Sequence, residues 1–163
     1  MTERPASIPG MASQTRADDT AEATLTVLVH SDDPTTRERV RMALGRRVAP
    51  DLPRLEIVEA ATQWAVLTKV RAGGIDLVIL DGEAGQSGGL GICRTIKEEV
   101  AFAPPILVVL GRPQDDWLAA WSRADGVGMH PIDPVAFAAA VERLLRSVLA
   151  PADPGTTDVA VHG

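Results

Sequence analysis

The sequence predicts an α/β fold, a doubly wound parallel sheet of five strands, and three observations carry that prediction. Leu77 to Leu80 and Ile106 to Leu110 are unbroken apolar runs with no in/out alternation, as in strands covered on both faces. Five short runs of strand type alternate with stretches of helical apolar spacing, which puts βα units in series and calls for right-handed crossovers. The third run ends on a carboxylate, Asp81, and passes into the glycine-rich turn GEAGQSGGLG. At the carboxyl edge of an open parallel sheet, loops and helix N-termini converge and ligands bind. The plain alternative for Asp81 is a residue that only caps the turn after it.

Residues 1–23 are rich in Ser, Thr, Ala, Pro and Asp and show no periodicity. They cannot bury enough apolar surface to offset the entropy of ordering and are expected to be a disordered tail. LTVLVH, Leu25 to His30, reads as the first strand. Asp33 then caps a helix that has Pro34 at its first position, where the missing N–H costs nothing. Val40 and Leu44, four apart, form its buried face, while Arg37, Arg39, Arg41, Arg46 and Arg47 make a basic surface. That surface is either solvated or a docking site for an acidic partner, with Arg37 and Arg41 as candidate contacts.

Leu55 to Glu59 reads as the second strand, and Thr62 to Ala72 as a helix stopped by Gly73 and Gly74. The third strand ends at Asp81. Leu90, Cys93, Ile96 and Lys97 keep helical spacing, so a third helix runs from Gly89 to Val100 with Cys93 in its packing. Pro104 and Pro105 introduce the fourth strand, Ile106 to Leu110. A short helix from Asp115 to Arg123 carries Trp117 and Trp121 on one side. Gly126 to Met129 is a fifth strand, weakened by two glycines. An amphipathic helix from Pro134 to Leu149 closes the domain, 24–149, with Val135, Ala138, Val141, Leu145 and Leu149 expected inward. Residues 150–163, with a PADPG turn, read as a second disordered tail.

Composition narrows the function classes. With 163 residues and 45% hydrophobic content the chain can bury one core, and with 3% aromatic residues that core must be aliphatic. A net charge of -6 without a basic block argues against nucleic acid as a partner, because neutralising phosphates needs clustered Lys and Arg. Cys93 is the single cysteine, which leaves no intrachain disulfide and no thiolate zinc site. No apolar run is long enough to span a membrane and no secretory h-region opens the chain, so a cytoplasmic location is expected.

If the strand order is 2-1-3-4-5, three polar strand ends converge: Ser31 and Asp32 after the first strand, Asp81 on the third, and His130 before Pro131 after the fifth. Two carboxylates and a backbone carbonyl can hold Mg²⁺, which takes a few oxygen ligands and keeps several waters. Taken singly, Asp32 could be a helix cap and His130 a loop histidine. Their shared position at the strand ends favours a site.

The stretches VLVHSDDP, RAGGIDLVILDGEAGQSGGLGICRTIK, PPILVVLGR and ADGVGMHPID resemble a two-component response-regulator receiver domain, over about Leu25 to Leu149. The resemblance implies a flavodoxin-like sheet and Asp81 as the phosphoacceptor of a histidine kinase or phosphotransfer protein. It implies weak Mg²⁺ binding by Asp32, Asp81 and the backbone carbonyl of Glu83, with Ser31 in place of the first family acid. It also marks departures. Leu110 stands where the family has a Thr or Ser that hydrogen-bonds the phosphoryl group, His130 where it has a Lys, and Val127 where it has the switch aromatic. Gly85 and Gly88 replace a frequent Pro and Asp. The Lys-Pro bond of the family is typically cis, so a cis His130-Pro131 bond is expected.

The leading expectation is a stand-alone receiver, with no output domain after Leu149, that is phosphorylated on Asp81 and signals to an unknown downstream protein. The alternative is a phosphorylation-independent receiver used as an interaction module. A third reading, a haloacid-dehalogenase-type phosphatase, fits poorly, because such enzymes want an Asp where Glu83 stands and place the motif on the first strand. The chain is therefore not expected to be an enzyme. A homodimer through the last two helices and the fifth strand is a further expectation, with one of Trp117 and Trp121 packed inward and the other on the partner surface.

Overall fold

The computed structural model describes residues 23–85 and 88–150. Strands β1 (Thr24–His30), β2 (Arg54–Ala60), β3 (Leu77–Asp81), β4 (Ile106–Leu110) and β5 (Gly126–Met129) form one parallel sheet in the order β2-β1-β3-β4-β5. The two expected tails lie outside the described residues, apart from Ala23 and Ala150. Helices α1 (Pro34–Leu44), α2 (Gln63–Ala72), α3 (Gly89–Glu99), α4 (Asp116–Ser122) and α5 (Pro134–Leu149) make the crossovers. All five strands and all five helices fall where the sequence places them, within a residue or two at their ends.

The helices divide between the two faces of the sheet. Val40 and Leu44 of α1 and Val141 and Leu145 of α5 pack on Val27, Val29 and Ile79. On the opposite face Val66, Ile92, Cys93, Ile96 and Ala119, from α2, α3 and α4, meet Leu28, Val78 and Leu80. Every residue of β3 and of β4 is buried, as their unalternating sequences require. Burial also pushes the Cys93 thiol up in pKa, so it packs as a small apolar group.

Local chemistry sets the helix ends. Asp33 accepts the Thr35 N–H at 2.9 Å and Pro34 opens α1. Thr62 accepts the Ala65 N–H at 3.1 Å, and Gly73, at φ 86°, turns the chain out of α2 in a conformation that costs glycine little. A 3-10 turn, Pro113–Asp115, leads into α4. At the foot of the sheet two aspartates stand in for ladder rungs. Asp76 gives its N–H to the Thr26 carbonyl and takes the Thr26 N–H on Oδ2, both at 2.8 Å. Asp125 does the same with Ile106, again with both bonds at 2.8 Å.

One helix face differs from expectation. In α5 the inward residues are Phe137, Ala140, Val141 and Leu145, whereas Val135 is 80% exposed and Leu149 is at the surface. At 3.6 residues per turn Val135 lies about 120° around the helix from Val141, so its apolar side chain cannot share that stripe.

Candidate functional site

The ladder brings the polar strand ends together. His30 pairs with Leu80, which puts Ser31 beside Asp81, and Asp81 pairs with Val109 of β4. The His130 N–H donates to the Leu110 carbonyl at 2.8 Å, which holds the end of β5 against β4. The His130-Pro131 peptide bond is cis, as expected.

Asp81 is buried and both of its carboxylate oxygens are taken. Oδ2 accepts the Ser31 hydroxyl at 2.8 Å. Oδ1 accepts the Glu83 N–H at 2.9 Å and stands 2.9 Å from His130 Nε2. Because the carboxylate can only accept, Nε2 carries the proton of that bond. The Ser31 oxygen in turn accepts the Asp33 N–H at 3.1 Å, which leaves its own proton free for Asp81. Ser31 is fully buried, and its carbonyl accepts Arg37 Nη1 at 2.7 Å. Arg37 also binds Glu59 at 3.0 Å, so this arginine is turned into the molecule. Arg41 stays half exposed between Glu38 and Glu59.

Asp32 and the side chain of Glu83, the residue whose backbone carbonyl is the expected ligand, turn to neighbouring loops. Asp32 is exposed and its Oδ2 accepts the Gly85 N–H at 3.0 Å. The Glu83 side chain reaches across to β4, where Oε1 accepts the Gly111 N–H at 3.1 Å. Among the described residues no three His, Cys, Asp or Glu side chains gather as a metal cluster. With one family acid replaced by a hydroxyl donor, and with Ser31 and His130 already on Asp81, the groups that would hold Mg²⁺ are Asp32, Asp81 and the Glu83 backbone carbonyl, a set with one negative charge fewer than the resemblance calls for.

Leu110 is buried and its side chain offers no hydrogen bond where the resemblance calls for a hydroxyl. Val127 is half buried beside a groove of about 250 Å³ between β5 and α5. Trp117 and Trp121 do share one side of α4, but neither packs inward: they are 65% and 48% exposed. The small residues Ala119 and Ser122 take the inward face, and the Cys93 thiol approaches the Ser122 carbonyl at 3.3 Å, which leaves no room for an indole. Arg94 instead covers Trp121, 4.7 Å from the ring centre, and donates to its carbonyl at 2.9 Å.

Two positions escaped the sequence reading. His30 is buried with no hydrogen-bond partner for Nδ1 among the described residues. Burial lowers its pKa, against the opposing pull of Asp81 and Asp32. Its place at the end of an apolar strand was the available signal. Gly89, at the start of α3, lies so close to Asp81 that a Cβ there would sit 2.6 Å from the Asp81 carbonyl oxygen. Only glycine lets that helix approach the strand end.

No family model matches the chain. Two uncharacterized response regulatory proteins of Mycobacterium tuberculosis, from strains CDC 1551 / Oshkosh and H37Rv, are each 54% identical over 123 residues, covering 76% of this chain and 92% of the relative. Among solved structures, the Vibrio cholerae chemotaxis protein CheY4 is 22% identical with a TM-score of 0.61, covering 76% of this chain and all of CheY4. A putative response regulator from Chloroflexus aurantiacus is 21% identical with a TM-score of 0.65, covering 76% of this chain and 99% of its own. The structural likenesses concern the fold, and the mycobacterial ones the family.

Proposed function

The chain belongs to the response-regulator family as a receiver domain of two-component signalling, and from that premise we propose that it signals through protein contacts without requiring a phosphoryl group on Asp81. The observation that carries this reading is the closed state of the carboxylate. Ser31 and His130 of the chain itself occupy its two oxygens. An incoming phosphoryl group would have to displace a buried hydroxyl bond to a charged acceptor, and such bonds contribute about 1.5–3 kcal/mol. Leu110 then offers the product no hydroxyl in return.

Receivers generally bind Mg²⁺ and exchange contacts with kinases or phosphotransfer proteins and with downstream targets. In this chain we assign the downstream contact to the side of α4 that shows Trp117 and Trp121, an exposed aromatic pair of the kind that marks an interface. The Ser31–Asp81–His130 cluster then serves to hold the ends of β1, β3 and β5 in one arrangement.

Phosphoacceptance on Asp81, the leading expectation from the sequence, becomes the second reading, and one observation favours it. The acceptor sits at the carboxyl end of β3 with an imidazole 2.9 Å away that could neutralise a phosphoryl oxygen when charged. Acetyl phosphate labelling with Mg²⁺, followed by intact mass and Phos-tag analysis with Asp81→Asn as control, separates the two. Unlabelled protein is the expected result. A phosphoryl adduct lost in Asp81→Asn would establish the second reading instead.

A further inference from the structure

The two edges of the sheet are unlike. β5 is a four-residue edge with two glycines, a poor template for pairing. β2 is seven residues long, in unbroken register with β1 over its whole length, and reads RLEIVEA, with no proline, lysine or bulge to blunt it. Among the described residues no strand lies outside it.

Its backbone alternation can be read from two bonds. The Ala60 carbonyl accepts the Ser31 N–H, so that residue faces β1, while the Leu55 N–H donates outward to the Arg46 carbonyl at 2.8 Å. With a period of two, Ile57 and Glu59 also turn their N–H and C=O groups outward. The loop at Arg46 shields only the start of the strand. Beside the open part runs a groove of about 440 Å³ lined by Met42, Arg46, Ile57 and Glu59, among others. Met42 is 74% exposed there.

We propose that this edge docks a second copy of the chain, β2 to β2 and antiparallel about Val58. That centre sets Ile57 of one copy opposite Glu59 of the other, so each pair exchanges its outward N–H and C=O groups. The choice of a second copy rests on charge. The groove carries two glutamates, Glu38 and Glu59, and two arginines, Arg41 and Arg46, so a twofold interface can oppose unlike charges with its own surface. Arg46 is tied through its carbonyl to Leu55, which lies diagonal to Glu59 of the other copy, within reach of a long side chain. Met42 of each copy covers the Ile57 row.

Sedimentation velocity of the full chain over a dilution series, with amide hydrogen exchange of Ile57 and Glu59, tests this. A dimer is expected whose dissociation on dilution releases both amides together. Met42→Glu and Arg46→Glu, both at exposed positions, should each weaken it at least about tenfold. A monomer at every concentration overturns the proposal. So does amide protection that ignores dilution, which would mean that another part of the same chain covers the strand. Any dimer that survives both variants overturns it as well, and its loss in Trp121→Ala would move the pairing to the α4 face.

Discussion

Ser31 Oγ donates to Asp81 Oδ2 at 2.8 Å while accepting the N–H of Asp33, so a hydroxyl occupies the place where a second acid would have opposed the first. Ser31→Ala leaves that oxygen unpaired in a buried site and should cost about 1–3 kcal/mol, read from urea midpoints. Ser31→Asp sets two carboxylates side by side. Its melting temperature should fall and then recover with added Mg²⁺, whereas that of the native chain should respond only weakly to the ion. A native melting temperature that climbs steeply with Mg²⁺ would contradict the closed-carboxylate reading.

The buried His30 predicts a direction for acid sensitivity. Its folded pKa is lowered, chiefly by burial, so in mildly acid solution the unfolded chain binds the extra proton first. The stability tied to this group is complete above the unfolded value near 6.5 and is lost as pH falls from there through the folded value. For one proton the slope cannot exceed about 1.4 kcal/mol per pH unit. Urea titrations from neutral pH downward should show this loss, and His30→Leu should flatten it.

Trp117 and Trp121 should separate surface from core. Trp117→Ala should change stability by no more than about 0.5 kcal/mol, as at an ordinary exposed site. Trp121→Ala gives up the Arg94 contact as well, about 0.5–1 kcal/mol. Thermal melts check both. A loss of several kcal/mol from either would show that the indole is part of the core.

Two glycines of α3 should respond in opposite ways. Gly89→Ala forces a methyl against the Asp81 carbonyl and should cost about 1–3 kcal/mol. Gly91→Ala meets nothing within 4 Å and should gain about 0.5–1 kcal/mol, as helix interiors do when glycine is replaced. Chemical denaturation of the pair measures the difference.

The sheet was legible because β3 and β4 carry their burial in their composition: no alternation means two covered faces. Asp81 could be found for the same reason, as the first charge after such a run. The face of α5 was less legible, since Val135 is apolar without being inward, and composition does not give the angle of a side chain around a helix. The inward place assigned to one tryptophan failed because it depends on the space between α3 and α4, which the small residues Ala119 and Ser122 and the thiol of Cys93 decide together. The reach of Glu83 to Gly111 joins loops 28 residues apart, and no local period records such a contact.

The paired bonds of Asp76 with Thr26 and of Asp125 with Ile106 give the strands a fixed origin at the foot of the sheet. From that origin the chain works as a ruler: at about 3.3 Å per strand residue, the count from Asp76 to Asp81 sets how high the carboxylate stands. The count also sets which way it points, because each added or deleted residue turns every later side chain to the opposite face. Removing one residue between Asp76 and Asp81 would keep the clamp and the apolar run, yet present the carboxylate to the wrong layer of helices, out of reach of Ser31 and His130. The length of this interval is therefore as much a determinant of the site as the residues that meet there.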